Sequence, residues 1–138
     1  MIKDIKDIFY TKEVYNVYSA CMFKPTFEKF EAMALSFKND STISIYGYFN
    51  ENSIVGTIAV KEEQNTIEII GISVANKERH SNIGTKLIDY IRENTIKQII
   101  AETDSDAVGF YKKYGFDIKE YTVSIADETY IRYLCSLN

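Results

Sequence analysis

Ile67-Glu68-Ile69-Ile70-Gly71-Ile72-Ser73-Val74-Ala75, the polar run Asn76 to Asn82, and then Ile83-Gly84-Thr85-Lys86-Leu87-Ile88-Asp89-Tyr90-Ile91 form the stretch on which the fold turns. The first block is almost continuously apolar and rich in β-branched residues, as expected of a central strand. In the last block Ile83, Leu87 and Ile91 recur at i, i+4 and i+8, with Ile88 beside them. Lys86, Asp89, Arg92 and Glu93 take the other face, so the block reads as an amphipathic helix. Gln98 to Glu102 is a second short apolar run. A strand–helix–strand unit of this length is a crossover that joins parallel strands.

Upstream of that unit the apolar period is two. Ile43 to Phe49 and Ile54 to Val60 read as strands, separated by the turn cluster Asn50-Glu51-Asn52-Ser53, and Glu62 to Asn65 is a second turn before Ile67. Such short turns imply an antiparallel meander. Before residue 40 the pattern is helical. Thr11 can cap a helix carrying Val14, Val17, Tyr18 and Cys21 on one face, and after Pro25-Thr26 a second stripe runs through Phe27, Phe30, Ala34 and Phe37. Downstream, Asp104 or Ser105 can cap a helix with Ala107, Phe110, Tyr111 and Tyr114 on one face, and Gly115 is placed to stop it. Ile118 to Ile125 and Tyr130 to Leu134 read as a hairpin around Ala126-Asp127-Glu128. With an initial strand left open, the order is β-α-α-β-β-β-α-β-α-β-β. The fold class is α+β (mixed α/β), with a mostly antiparallel sheet, four helices and a single domain over residues 1–138.

The chain has 138 residues, 46 % of them apolar and 26 % charged, a composition that suits one globular domain. A domain of this length buries roughly two-thirds of its unfolded surface, and so needs neither metal nor disulfide to fold. A net charge of −4 argues against nucleic acid as the main partner, because phosphate neutralisation needs a basic surface. Cys21 and Cys135 form no disulfide framework and read as free thiols of a reducing compartment. Charges interrupt Met1-Ile2-Lys3-Asp4-Ile5-Lys6-Asp7, which leaves no signal-peptide core, and the run Ile69 to Ala75 is far too short to span a bilayer. A cytoplasmic protein without a membrane partner is expected. His80 is the only histidine, which excludes multi-histidine metal sites, and no metal is expected. Any Ser-His or Cys-His nucleophile pair would have to use it, and adjacent Ser81 points apart from it in a tight loop.

Arg79-His80-Ser81-Asn82-Ile83-Gly84-Thr85 lies between the central strand and the helix N-terminus. The first backbone N–H groups of a helix have no internal partner, and the helix dipole is positive at that end. With Gly84 allowing close approach and Arg79 and Lys77 adding charge, the loop suits a phosphate. It is neither a G-x-G-x-x-G fingerprint nor a Walker A loop. An ordinary strand–helix turn with a solvated polar face is the alternative.

Ile70 to Ala75 together with Arg79 to Ile88 resembles the acetyl-CoA-binding segment of the GNAT superfamily of N-acetyltransferases, whose pattern is Gln/Arg-x-x-Gly-x-Gly/Ala. Ala107-Val108-Gly109-Phe110-Tyr111-Lys112-Lys113-Tyr114-Gly115-Phe116 resembles that family's Ala-x-x-Phe-Tyr-x-x-x-Gly-Phe block. The two blocks span residues 67 to 116, about a third of the chain. The resemblance implies the acyl-CoA N-acyltransferase fold, its sheet splayed between the fourth and fifth strands, with acetyl-CoA as co-substrate and an amine as acceptor. It implies cofactor contacts at Ile72, Val74, Arg79, His80, Ser81, Asn82, Ile83, Gly84, Thr85, Asp104 and Phe110. By resemblance, the Ile72 main-chain amide polarises the thioester carbonyl, Tyr111 protonates the leaving thiolate, and Glu68, 11 residues before Arg79, matches the general base of some members. For each a plain structural role stands beside it: core strand residues at Ile72 and Val74, a core tyrosine at Tyr111, a solvent-facing strand residue at Glu68. Two positions depart from the pattern. Asn82 replaces the first loop glycine, although Asn tolerates the left-handed conformation. Asp104 stands where many members have a cofactor-contacting Asn, and a carboxylate accepts but does not donate.

The implied function is direct acetyl transfer from acetyl-CoA to a primary amine in a ternary complex, with a homodimer left open. The alternatives are a catalytically weak acyl-CoA-binding regulatory or sensor domain, and a structural domain of similar topology that binds no cofactor. The resemblance also implies that the first two helices and the late hairpin set the acceptor; there Phe23, Phe27, Glu28, Tyr121, Asp127, Glu128 and Tyr130 form an aromatic and acidic set that favours a cationic amine.

Overall fold

The computed structural model describes residues 1–79 and 81–138; His80 lies outside them. The elements run β1 (Ile2–Asp4), α1 (Lys12–Tyr18), α2 (Phe27–Lys38), β2 (Ile43–Asn50), β3 (Ser53–Glu62), β4 (Thr66–Val74), α3 (Ile83–Glu93), β5 (Gln98–Thr103), α4 (Val108–Tyr114), β6 (Asp117–Ile125) and β7 (Glu128–Leu137). The strands form one sheet in the order β1-β2-β3-β4-β5-β7-β6. Neighbours are antiparallel except β4 and β5, which the α3 crossover makes parallel. This is the mixed, mostly antiparallel α+β architecture expected, with β4 at its centre. No helix among the described residues is long and apolar enough to cross a membrane.

Local chemistry sets the boundaries. Thr11 Oγ1 accepts from the Val14 amide at 3.4 Å and Thr26 Oγ1 from the Lys29 amide at 3.1 Å, which caps α1 and α2. α1 stops at Tyr18, short of the Cys21 to which its apolar pattern extends. Ser19–Cys21 tighten into a 3₁₀ turn, a common way for a helix to end. The last hairpin turns through Ala126 (φ 51°) and Asp127 (φ 65°), the two left-handed positions a two-residue turn requires. β7 runs three residues past the expected Leu134 because Cys135 and Leu137 pair with Ala101 and Ile99 of β5.

Each face of the sheet has its own core. α3 and α4 cover a cluster that includes Ile58, Ile67, Ile69, Leu87, Ile88, Ile99 and Tyr111. α1 and α2 cover the other, with Phe9, Val14, Tyr18, Phe30, Ile45 and Ala59.

One irregularity shapes the centre. Gly71 pairs with Ala59 but Ile69 with Val60, so Ile70 is an extra residue in β4, a β-bulge. Ile67 and Ile69 lie on the α3 face before it, and Ile72 and Val74 return to that face after it. Ile70 packs on the α1 face. The β4–β5 pairing ends at the same place. It runs from Thr66↔Gln98 to Ile69↔Ala101, while β4 continues to Val74 and β5 to Thr103. Bulges bend a strand and end its pairing, and here the two parallel strands part. Beyond the bulge β4 stays tied to β3, where the Thr57 and Ser73 hydroxyls share a buried 2.6 Å hydrogen bond.

Candidate active site

The parted strands leave main-chain groups free. The Ala75 amide donates to Val55 of β3 at 2.8 Å. Successive strand N–H groups alternate sides, so those of Val74 and Ile72 point away from β3, into the gap. The Val74 carbonyl lies on that side too, where Arg79 Nε donates to it at 3.4 Å. These are the two residues whose backbone the sequence singled out.

At the mouth of the gap Asn82 precedes α3 at φ 61°, ψ 24°, in the left-handed region. Asn thus takes up the conformation for which a glycine would be the usual choice. Its side chain makes no cap bond. The first helical bond is Lys86 N–H to the Asn82 carbonyl at 3.0 Å, so the amides of Ile83, Gly84 and Thr85 have no partner inside the helix. No acidic residue occupies the first turn, and the dipole and Arg79 both favour an anion there. The Phe110 ring of α4 lies directly over Gly84, where a Cβ would meet it at 3.0 Å.

Gap and helix end open into one cleft of about 820 Å³, within the usual size range of small-molecule sites. It is lined by Ala20, by Ile72, Ser73 and Val74 of β4, by Arg79, Asn82, Gly84 and Thr85 around the start of α3, by Asp89 and Arg92 further along α3, and by Ala107, Phe110, Lys113 and Tyr114 in and before α4. Tyr114 donates to Asp89 Oδ1 at 2.5 Å.

Of the residues singled out from the sequence, Ile72, Val74, Arg79, Asn82, Gly84, Thr85 and Phe110 therefore meet in one cavity. Ile83 contributes its amide, but its side chain is buried in the core. Ser81 is exposed and borders a separate hollow with Tyr48 and Lys86. His80 lies outside the described residues. Asp104 accepts from the Asp106 and Ala107 amides at 3.0 Å each, shaping the loop ahead of α4, and is not among the lining residues. Asp89, Arg92, Lys113 and Tyr114 were missed. A signal existed: Thr85, Asp89 and Arg92 stand at i, i+4 and i+7, one polar face continuing from the loop.

Tyr111 is buried behind the lining, edge-on to Phe110 at 5.3 Å and Phe116 at 5.2 Å. Burial pushes its phenol pKa far above the ordinary value, so the hydroxyl keeps its proton and is able to donate it in a hydrogen bond. Glu68 stands on the opposite face of β4 from Ile67 and Ile69. Partial burial, then repulsion from Glu102 and Glu63, raises its pKa against the smaller pull of Lys61. At roughly 3.3 Å per residue it lies about 13 Å along the strand from Ile72. That distance leaves water as the carrier of any proton it takes from the gap.

The sequence profile described as the Acetyltransferase (GNAT) family matches residues 11–116. The chain belongs to the GNAT acetyltransferase family. Solved structures of this GNAT fold align along almost the whole chain at low identity. The IAA acetyltransferase from Bacillus cereus ATCC 14579 is 18 % identical, with 99 % of each chain covered and a TM-score of 0.68. A GNAT family acetyltransferase from Elizabethkingia anophelis, with acetyl-CoA bound, is 18 % identical over 99 % of this chain and 96 % of that one, at TM-score 0.70. An aminoglycoside 6'-N-acetyltransferase complexed with coenzyme A is 14 % identical over 99 % and 96 %, at TM-score 0.71. No curated relative matches the chain.

Proposed function

We propose that this GNAT protein is a cytoplasmic, acetyl-CoA-dependent N-acetyltransferase acting on a primary amine by direct attack in a ternary complex. The observation that carries the reading is the continuity, in one cleft, of two sets of backbone donors without sheet or helix partners. The Ile72 and Val74 amides in the β4–β5 gap suit a peptide-like pantetheine arm laid along β4. The amides at the start of α3, beside Arg79, suit its pyrophosphate. Two fold relatives carry acetyl-CoA or coenzyme A.

Acetyl-CoA supplies a thioester already activated for acyl transfer. In the proposed mechanism this chain's residues bind, orient and move protons. The Ile72 amide donates to the carbonyl oxygen as negative charge builds there. Glu68 accepts the amine proton through water, and its raised pKa brings it nearer the pH range useful for a base. Tyr111 donates to the departing sulfur. Glu102 and Glu63, which press on Glu68, make that face of the sheet attractive to a cationic amine. A regulatory acyl-CoA-binding role is the second reading; it draws on Tyr111 lying behind the lining rather than within it.

Release of free thiol from acetyl-CoA, measured over polyamines, aminoglycosides, amino acids and peptide N-termini, tests the reading. Turnover with one class supports it. Binding of coenzyme A without turnover on any amine favours the regulatory reading, and no thermal shift with coenzyme A overturns both.

A further inference from the structure

Ile72 and Ala20 line the cleft, and two side chains that the proposed chemistry does not use stand next to them. Tyr18, at the last position of α1, is 2 % exposed. Its hydroxyl lies against β4 so closely that a Cβ on Gly71 would sit 2.2 Å from it. The ring is held edge-on to Phe9 at 4.9 Å and tilted on Phe30 at 6.1 Å, so it is not a mobile flap. Cys21 follows on the 3₁₀ turn. By area the residue is exposed, yet its sulfur turns toward Tyr18, donating to the Tyr18 carbonyl at 3.2 Å, and faces the Ile72 amide.

We infer that Tyr18 and Cys21 form the end wall of the acyl site and limit the transferred group to about the size of acetyl. The inference rests on the acetyl-CoA reading. A carbonyl placed on the Ile72 amide has its acyl chain directed past Ala20, where the Cys21 sulfur and the Tyr18 ring close the space. Cys21 is also chemically suited to stand beside a thioester. Burial pushes its thiol up to about 11, so it is uncharged near pH 7 and does not compete with the amine for the acyl group.

Calorimetric affinities for coenzyme A, acetyl-CoA and butyryl-CoA test the wall without needing the acceptor. A buried methylene is worth about fourfold in affinity, so a butyryl chain with room would bind about 15-fold more tightly than acetyl, whereas against a wall it gains nothing and has to displace packed side chains. The parent binds coenzyme A and acetyl-CoA but takes butyryl-CoA at least tenfold more weakly. Cys21→Ala removes most of that penalty and leaves coenzyme A affinity unchanged. Cys21→Ile works in the opposite direction, weakening acetyl-CoA at unchanged coenzyme A affinity; it also serves if the first variant folds poorly. Equal affinity of the parent for all three ligands, or a butyryl penalty that neither folded variant moves, overturns the end wall while leaving the cofactor reading intact. Failure of the parent to bind coenzyme A overturns both.

Discussion

Replacing Gly71 by Ala tests how closely α1 is fitted against the bulged part of β4. A Cβ there would lie 2.2 Å from the Tyr18 hydroxyl, 2.7 Å from Cζ and 2.9 Å from Cε2. Ordinary carbon contacts are about 3.5–4.0 Å, so the ring would have to retreat by more than about 1 Å. It is a rigid ring, 2 % exposed and wedged among Phe9 and Phe30. Overpacking of that kind costs about 1–3 kcal/mol. Loss of glycine freedom in the unfolded chain offsets about 0.4–1 kcal/mol. The net destabilisation is then about 1–2 kcal/mol, or about 3–8 °C in Tm for a domain of this size. Denaturant unfolding followed by circular dichroism measures it. Tyr18→Phe removes the nearest atom, so Gly71→Ala should cost less in that background, a coupling that a double-mutant cycle reads directly. A Gly71→Ala protein as stable as the parent, or costs that simply add, would refute the close packing of Tyr18 on β4.

Three substitutions probe the proposed chemistry. Tyr111→Phe keeps the packing and removes the hydroxyl; where chemistry limits the rate it should lower kcat by roughly tenfold or more with cofactor affinity unchanged, and full activity would leave Tyr111 a core residue. Because burial and acidic neighbours raise the Glu68 pKa, the acid limb of the rate profile should lie above the usual carboxylate value of about 4.3, rising with pH as the base form appears. Glu68→Gln should flatten that limb, and an unaltered profile would make water the sole acceptor. Gly84→Val should abolish acetyl-CoA binding by calorimetry, because even a single Cβ meets the Phe110 ring at 3.0 Å; unchanged affinity would remove the α3 amides from the site.

The β2–β4 meander, the α3 crossover and the closing hairpin were legible because each has a clean period and turn residues between elements. Asn82 was legible too, since few other residues enter the left-handed region easily. The Ile70 bulge was not recognised, although a glycine inside an apolar strand is a signal of a bulge or a close approach, and Gly71 marks both. The early end of α1 was hidden because Cys21 continues its apolar face, while the turn it belongs to is set by packing of the chain against β4. The α3 side of the cleft was overlooked for a different reason: Asp89 and Arg92 on an amphipathic helix look the same whether they meet solvent or a ligand. Burial suits Tyr111 as a core tyrosine and as a proton donor alike.

The central claim is that the cofactor lies along β4 in the gap and against the start of α3. Amide hydrogen exchange, resolved residue by residue with and without acetyl-CoA, tests it most directly. The Ile72, Val74, Gly84 and Thr85 amides have no sheet or helix partner, and Ile72 faces only the Cys21 sulfur, so all four should become protected on binding, while Ser73 and Ala75, turned toward β3, change little. Binding of acetyl-CoA that leaves those four amides as exchangeable as before would contradict the account.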